Sequence, residues 1–315
     1  MSQDNEQQWI KQYMKESFAE QKRSRRWGVV FKLLTFAYLF VGLYLFIDLS
    51  SLKASKGADE THTALVQVHG VIAADQDANA NAIVTGLRRA FENEMSKAVI
   101  LHINSPGGSP VQAGYVYDEI KRLRNIYPNK RVYAVISELG ASGGYYIAAA
   151  ADEIYADKAS LVGSIGVTAS SFGFTDTMEK LGVERRHFTA GEHKAFLDPF
   201  SPLKEDEKVF WQQVLDKTHQ QFIDVVKQGR GERLVADADQ QLFSGLIWNG
   251  EQAIELGLID GLGSAGKVAR DIIKAEEIVN YTVQPSPLDA FTKKLGLALG
   301  QGISQHLVTG SYSLQ

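Results

Sequence analysis

A long apolar stretch near the amino terminus constrains the fold of this chain more than any other feature. Trp27 to Ile47 reads WGVVFKLLTFAYLFVGLYLFI, with Lys32 as its single charged residue. About 20 apolar residues in a helix cross the hydrocarbon core of a bilayer, which is roughly 30 Å thick. We therefore expect a transmembrane anchor over 27–47. A buried core helix or a cleaved signal peptide would need a shorter apolar stretch, and no clear cleavage site follows this one.

The charge distribution predicts the orientation of this anchor. The chain has 315 residues and a net charge of −4, yet residues 1–32 carry seven Lys or Arg against four Asp or Glu. Lys22 to Arg26 directly precede the apolar stretch, and basic flanks stay in the cytoplasm. We expect a single-pass inner-membrane protein, with a cytoplasmic segment over 1–26, a stalk over 48–62 and the body on the periplasmic or extracytoplasmic side.

The body of the chain has the pattern of an α/β domain. Short β-rich apolar runs alternate with helical stretches from Thr63 onward, which favours a largely parallel sheet with functional loops at its carboxyl edge. The domain is expected over 63–284, followed by a tail over 285–315 whose role the sequence does not indicate. The pattern predicts strands over 64–72, 97–104, 131–137 and 153–160, and helices over 80–94, 111–125 and 204–229.

The absence of cysteine excludes several kinds of chemistry. Without a thiol the chain has no disulfide, thiolate zinc site, iron–sulfur cluster or cysteine nucleophile. The seven histidines form no H-E-x-x-H pair. Covalent catalysis would need an oxygen or nitrogen nucleophile, and we expect no metal or cofactor.

Two glycine-rich turns are expected at the carboxyl edge of the sheet. Ser142 lies within Gly140–Gly144, between a predicted strand and a small-residue helix, where a tight turn can present its hydroxyl. The alternative is that Ser142 only caps the helix. The second turn, Asn104–Gly108, ends a neighbouring strand and could contribute backbone N–H groups to an oxyanion hole.

A lysine provides a candidate general base. Lys194 lies among Phe196, Leu197 and Phe200, and burial there would favour the neutral amine, which accepts a proton. The alternatives are an ordinary surface lysine, or a Ser-His-Asp arrangement using His193 and Asp198. Neighbours in an extended loop point opposite ways, which disfavours a histidine beside a lysine that enters the cleft.

These motifs resemble one protein family. NSPGG (104–108), GASGGYY (140–146), GSIGV (163–167) and HKAFLDPF (193–200) occur in the order found in the signal peptide peptidase A family of bacterial serine–lysine membrane proteases, whose fold is related to Clp protease and crotonase. The resemblance extends over about 63–275 and includes LFSGLIWNGEQAIELGLIDGLGS (242–264). The roles it implies are Ser142 as nucleophile, Lys194 as general base, Ser164 as a hydrogen-bond partner of the lysine, and Gly107, Gly108 and Gly143 as backbone oxyanion donors.

The resemblance also implies a function. We expect a membrane-anchored serine endopeptidase that cleaves remnant signal peptides and other unfolded hydrophobic segments. It is expected to form a homo-oligomeric ring in which adjacent subunits contribute to one site, and not to bind nucleic acid. A catalytically inactive membrane scaffold and a crotonase-like acyl-CoA enzyme are the alternatives.

Overall fold

The computed structural model describes residues 3–46, 58–235 and 239–283, with side chains over 13–42, 58–235 and 241–283. The chain divides into two compact units: the first is Met1–Lys53 with Pro285–Gln315, and the second is Ala54–Gln284. The predicted C-terminal tail and most of the predicted stalk, residues 48–57, lie outside the described residues.

The first unit contains one continuous helix, α1 (Gln3–Phe46). A helical segment is expected only from Trp27, but the helix begins 24 residues earlier, because the polar residues before Trp27 include good helix formers such as Glu, Gln, Lys and Ala. Among the described side chains, which end at Gly42 in this helix, no helix has an apolar stretch that is long enough to cross a membrane.

The second unit is built on an eight-stranded, mostly parallel sheet. Its path runs β6-β5-β3-β2-β1-β8, with β4 beside β3 and β7 beside β4, and the β5–β6 pair is antiparallel. This α/β architecture is the one that the sequence predicts. The strands are β1 (His62–His69), β2 (Ser96–Ser105), β3 (Val132–Ala141), β4 (Glu153–Ala156), β5 (Leu161–Gly163), β6 (Ile247–Asn249), β7 (Gly261–Leu262) and β8 (Ile278–Asn280).

Helices cover both faces of the sheet. The larger core includes alternate residues of β1, Ala64, Val66 and Val68, while Leu65 on the opposite face belongs to a smaller cluster. The helices of this unit are α2 (Ala80–Glu92), α3 (Pro110–Ile126), α4 (Gly143–Ala148), α5 (Thr175–Lys180), α6 (Glu205–Arg230), α7 (Asp239–Leu242), α8 (Gly250–Glu255) and α9 (Ala265–Lys267), with a 3₁₀ turn at Gly231–Arg233 and a π turn at Val268–Ile273.

Strand β3 differs from its prediction in a way that shapes the site. It continues beyond residue 137 to Ala141, and its two halves pair with different strands: Tyr133–Ile136 with β4 and Leu139–Ala141 with β5. The predicted strand over 153–160 is therefore too long: β4 ends at Ala156, and β5 begins beyond the predicted range, at Leu161. A turn closed by the Ser160 N–H to the Asp157 carbonyl, at 3.1 Å, separates them.

A buried ion pair joins the end of α6 to the sheet. The Arg230 side chain is only 1% exposed, and its guanidinium donates to both carboxylate oxygens of Asp260, at 2.8 and 3.0 Å. Burial alone would raise the pKa of Asp260, but the hydrogen bonds and charge of Arg230 lower it overall. Because the folded pKa is depressed, this stabilisation is present at neutral pH and is lost as the pH falls through the folded-state pKa.

We predict that Arg230→Met lowers the free energy of unfolding by about 3 kcal/mol, because it removes the buried partner of the Asp260 carboxylate and leaves it only the more exposed guanidinium of Arg233, at 3.2 Å. Urea denaturation of the full chain, followed by tryptophan fluorescence, measures this. Arg270→Met, which removes an exposed pair with Asp271, is the matched control and should leave the midpoint nearly unchanged. Equal midpoints for the two variants would contradict the prediction.

Candidate active site

The register of two parallel strands places Ser142 beside Ser164. Ala141 pairs with Gly163, so each serine is the first residue beyond a paired position on neighbouring strands. The Ser142 N–H donates to the Gly163 carbonyl at 2.8 Å, and the Ser164 N–H donates to the Leu246 carbonyl at 2.7 Å. The carboxyl edge of the sheet thus presents both predicted hydroxyl side chains together.

Both serines have a strained backbone. Ser142 has φ of +50° and Ser164 has φ of +52°, a region that side-chain-bearing residues rarely adopt. The Ser142 side chain makes no capping hydrogen bond to α4, so the alternative that it only caps the helix is wrong. Such strain persists where the surroundings enforce it, and it is typical of nucleophile turns.

The second glycine turn packs directly against the Ser142 turn. A Cβ added to Gly107 would lie 2.6 Å from the Gly143 nitrogen and 2.7 Å from the Ser142 Cβ, and Gly107 has φ of +95°. Only glycine permits this approach, because it has no Cβ and tolerates positive φ. The turn is held in place by Ile72, whose N–H donates to the Gly107 carbonyl at 2.8 Å.

The hydrogen bonds of these turns separate the candidate oxyanion donors. The Gly107 N–H already donates to the Ser105 hydroxyl at 3.1 Å, so it is not available to a substrate. Gly143 is the first residue of α4, where the N–H has no partner within the helix. Within the described part of the chain, the Gly108 N–H has no acceptor either. Gly108 and Gly143 are therefore the candidate donors.

Ser142 opens into a cleft of about 930 Å³. The cleft contains Ser142, Ser164, Gly108 and Gly143. Helices α3 and α6 form its sides. The sequence predicts both helices, but it does not indicate that they line the site. The 3- and 4-residue spacing of the α3 residues, which puts them on one helix face, is a signal that could have found them. These wall residues are Val111, Gly114, Tyr115 and Asp118 from α3 and Thr218, Gln221 and Phe222 from α6.

Lys194 does not line this cleft. It is exposed, in a loop of successive turns that includes hydrogen bonds from the Lys194 N–H to the Gly191 carbonyl and from the Phe196 N–H to the His193 carbonyl. The expected burial among aromatic side chains is absent within one chain, because Phe196 packs edge-on against Phe210 and Phe200 stacks on Phe174. In the described part of one chain, no hydrogen bond joins Lys194 to Ser142.

The Ser-His-Asp alternative gains no support. Asp198 is an ion-pair partner of Arg185 and accepts a hydrogen bond from the Ser201 hydroxyl at 2.9 Å. The Arg185 guanidinium lowers the pKa of Asp198 to about 2. His193 is exposed and, like Lys194, does not line the cleft. The expectation of an extended loop here is wrong, since the residues form turns.

We predict that Gly107→Ala lowers the reactivity of Ser142 by roughly 10²-fold or more, because the added Cβ displaces the Gly143 N–H that would hold the oxyanion. The rate at which a fluorophosphonate probe labels Ser142 measures the reactivity, with intact mass as the readout. Gly266→Ala, whose added Cβ meets nothing within 4 Å, is the matched control and should label normally. Normal labelling of Gly107→Ala would contradict the role assigned to this contact.

Two family models match the domain. The model of peptidase family S49 matches residues 126–278, and the model of Clp protease matches residues 59–160. The two matches together extend over nearly the whole of the second unit. They include Ser142, Ser164 and Lys194.

Of three individual relatives, two have peptidase or protease names that agree with these matches, and one has the name of an antiporter. A Na(+)/H(+) antiporter NhaA of Brucella abortus (strain 2308) is 44% identical over 211 residues, 65% of this chain, but this chain spans only 28% of that protein. A putative signal peptide peptidase SppA of Enterococcus faecium is 29% identical, covering 72% of this chain and 67% of the relative. A putative protease of Methanocaldococcus jannaschii is 31% identical, covering 69% and 70%. The chain therefore belongs to peptidase family S49, the signal peptide peptidase A family.

Proposed function

We propose that this chain is a serine endopeptidase with Ser142 as nucleophile and Lys194 as general base. The observation that carries the proposal is the strained Ser142 turn in the cleft, with the free N–H groups of Gly108 and Gly143 beside it. The protease names of several relatives and the S49 family match support a peptidase. An acyl-CoA enzyme would need the backbone donors, but it would not need a nucleophilic serine.

The chemistry is acyl transfer. The neutral amine of Lys194 takes the proton of the Ser142 hydroxyl while the oxygen attacks the peptide carbonyl, and the N–H groups of Gly108 and Gly143 donate to the oxyanion. The protonated lysine then gives its proton to the leaving amine, and an ester to Ser142 remains. Water, deprotonated by the same lysine, attacks this ester, and its collapse releases the acid and restores Ser142.

Lys194 is proposed to reach this cleft from a neighbouring copy. It is exposed and lies outside the cleft of its own subunit, in the segment that runs from β5 to α6. This segment has exposed apolar side chains, a feature typical of protein interfaces. The largest exposures are those of Phe188 at 90%, Phe172 at 80%, Leu181 at 72% and Leu203 at 63%. In a ring, Lys194 of one copy would meet Ser142 and Ser164 of the next.

We also propose that α1 anchors the protein to the inner membrane, with the peptidase domain outside. Exposed apolar side chains include Phe31, Leu33, Leu34, Phe36, Leu39 and Phe40, and at 100° per residue they are distributed around the whole circumference of the helix. A helix that is apolar all round is suited to protein interiors or to a bilayer. The substrates proposed for this location are remnant signal peptides and other unfolded hydrophobic segments, as the name of the Enterococcus faecium relative suggests.

We predict that Ser142→Ala and Lys194→Ala each lower peptide cleavage by at least about 10³-fold, because either change removes one half of the dyad. Rings assembled from an equal mixture of the two variants should regain about one quarter of the wild-type rate, since one quarter of neighbouring pairs supply both groups. The measurement is cleavage of a fluorogenic peptide by detergent-solubilised full chain.

Unmixed rings of each variant are the controls for this experiment. Failure to recover activity in rings verified to contain both variants would overturn the shared dyad, and the dyad itself is wrong if both single variants still cleave.

Because α1 is proposed to anchor the protein in a membrane, we predict that the full chain resists alkaline carbonate extraction from membranes. Deletion of residues 27–47 should release it, because it removes the apolar stretch, whereas deletion of residues 3–20 should not. Since the chain has no native cysteine, Ser17→Cys and Glu255→Cys can report topology through an impermeant maleimide. Intact cells or spheroplasts should label only the second variant; equal labelling of both, or extraction of the full chain, would contradict the proposal.

A further inference from the structure

The cleft beside Ser142 continues as a groove between α3 and α6. Val111, Gly114, Tyr115 and Asp118 are spaced i, i+3, i+4 and i+7 along α3 and all line it. Val111 and Asp118 are seven residues apart, which corresponds to about 10 Å along the helix axis. The groove therefore extends from the neighbourhood of the nucleophile to the carboxylate of Asp118.

The walls of this groove are mainly apolar. Tyr146 forms part of its lining, and its ring packs against the Phe222 ring with centroids 5.1 Å apart. Gly114 leaves the centre of the groove open, because a Cβ added there would meet nothing within 4 Å. Val111 adds another apolar side chain to the lining.

Asp118 is the charged residue among those that line the cleft, and no lysine or arginine is among them. In the part of the chain that the structure describes, no cation forms an ion pair with Asp118. Its charge acts on this groove: burial, followed by the negative charge of Asp118, raises the pKa of Tyr146. A ligand that fits this groove combines an apolar stem with a positive end.

We propose that Asp118 selects peptides with a lysine or arginine close to the scissile bond. Resting on the proposed peptidase function, this assigns the basic side chain to the groove between α3 and α6. Its methylene stem packs on Val111, Tyr146 and Phe222, and its cation meets the Asp118 carboxylate. A lysine stem reaches about 6 Å and each peptide residue spans about 3.3 Å. The basic residue of the peptide therefore lies within about three residues of the scissile bond, which Ser142 attacks.

Binding can be measured without catalysis by using the Ser142→Ala full chain in detergent. The probes are two fluorescent apolar nonapeptides that are identical except for a central lysine or its uncharged analogue norleucine. We expect the lysine peptide to bind about five- to tenfold more tightly at low salt, with the preference shrinking as salt is added. Adding Asp118→Asn should remove the preference, and Glu255→Gln, an exposed carboxylate on α8, should preserve it.

A second variant tests the groove itself. Gly114→Leu should weaken binding of both peptides, because its side chain fills the open space that Gly114 leaves. Equal binding of the two peptides, binding of neither, or a lysine preference that survives Asp118→Asn would overturn the inference.

Cleavage by the wild-type chain separates this inference from the proposed function. Cleavage that depends on Ser142 but shows no lysine preference would overturn the assignment of Asp118 and leave the peptidase standing. If binding is selective for lysine and depends on Asp118 but no peptide is cleaved, the role of Asp118 in the groove is supported and the proposed peptidase function is contradicted.

Discussion

The pairing of β3 with β5 is the constraint on which the site depends. Because Ala141 and Gly163 are partners in a parallel ladder, the next residues, Ser142 and Ser164, leave the sheet side by side. Both then adopt positive φ, which only a well-packed surrounding can maintain. That packing comes from Gly107, whose missing Cβ lets a third strand end come into contact with the Ser142 turn.

One subunit thus contains most of the proposed serine hydrolase site, but not all of it. The hydroxyl of Ser142 and the backbone donors of Gly108 and Gly143 come from strand ends of one rigid sheet, so they are ordered before any substrate binds. The proposed base is different, because Lys194 lies on an exposed apolar segment that is separate from the cleft. Dividing the site in this way would make hydrolysis depend on assembly, so that an isolated copy would not be active.

Local patterns in the sequence predict the part of this site that local geometry determines. Glycines around Ser142 and after Asn104 indicate tight turns at strand ends, and the structure has both turns. The importance of Ser164 was visible only through family resemblance, because β5 has three residues and is too short to show a periodic pattern. The exposure of Lys194 could not be predicted, since apolar neighbours in sequence do not determine which surface they cover. The groove along α3 could not be predicted, because the helix face that lines a cleft depends on the position of the facing helix.

Chemical crosslinking can test whether Lys194 of one copy meets Ser142 and Ser164 of the next. Because the chain has no native cysteine, only the introduced thiols can react. Chains carrying Ser164→Cys are mixed with chains carrying Lys194→Cys and treated with a short bifunctional thiol reagent, with Glu255→Cys replacing Lys194→Cys as the control. We expect covalent dimers between the first two chains only. Absence of such dimers in assembled rings, together with an intrachain link in a chain that carries both cysteines, would contradict it.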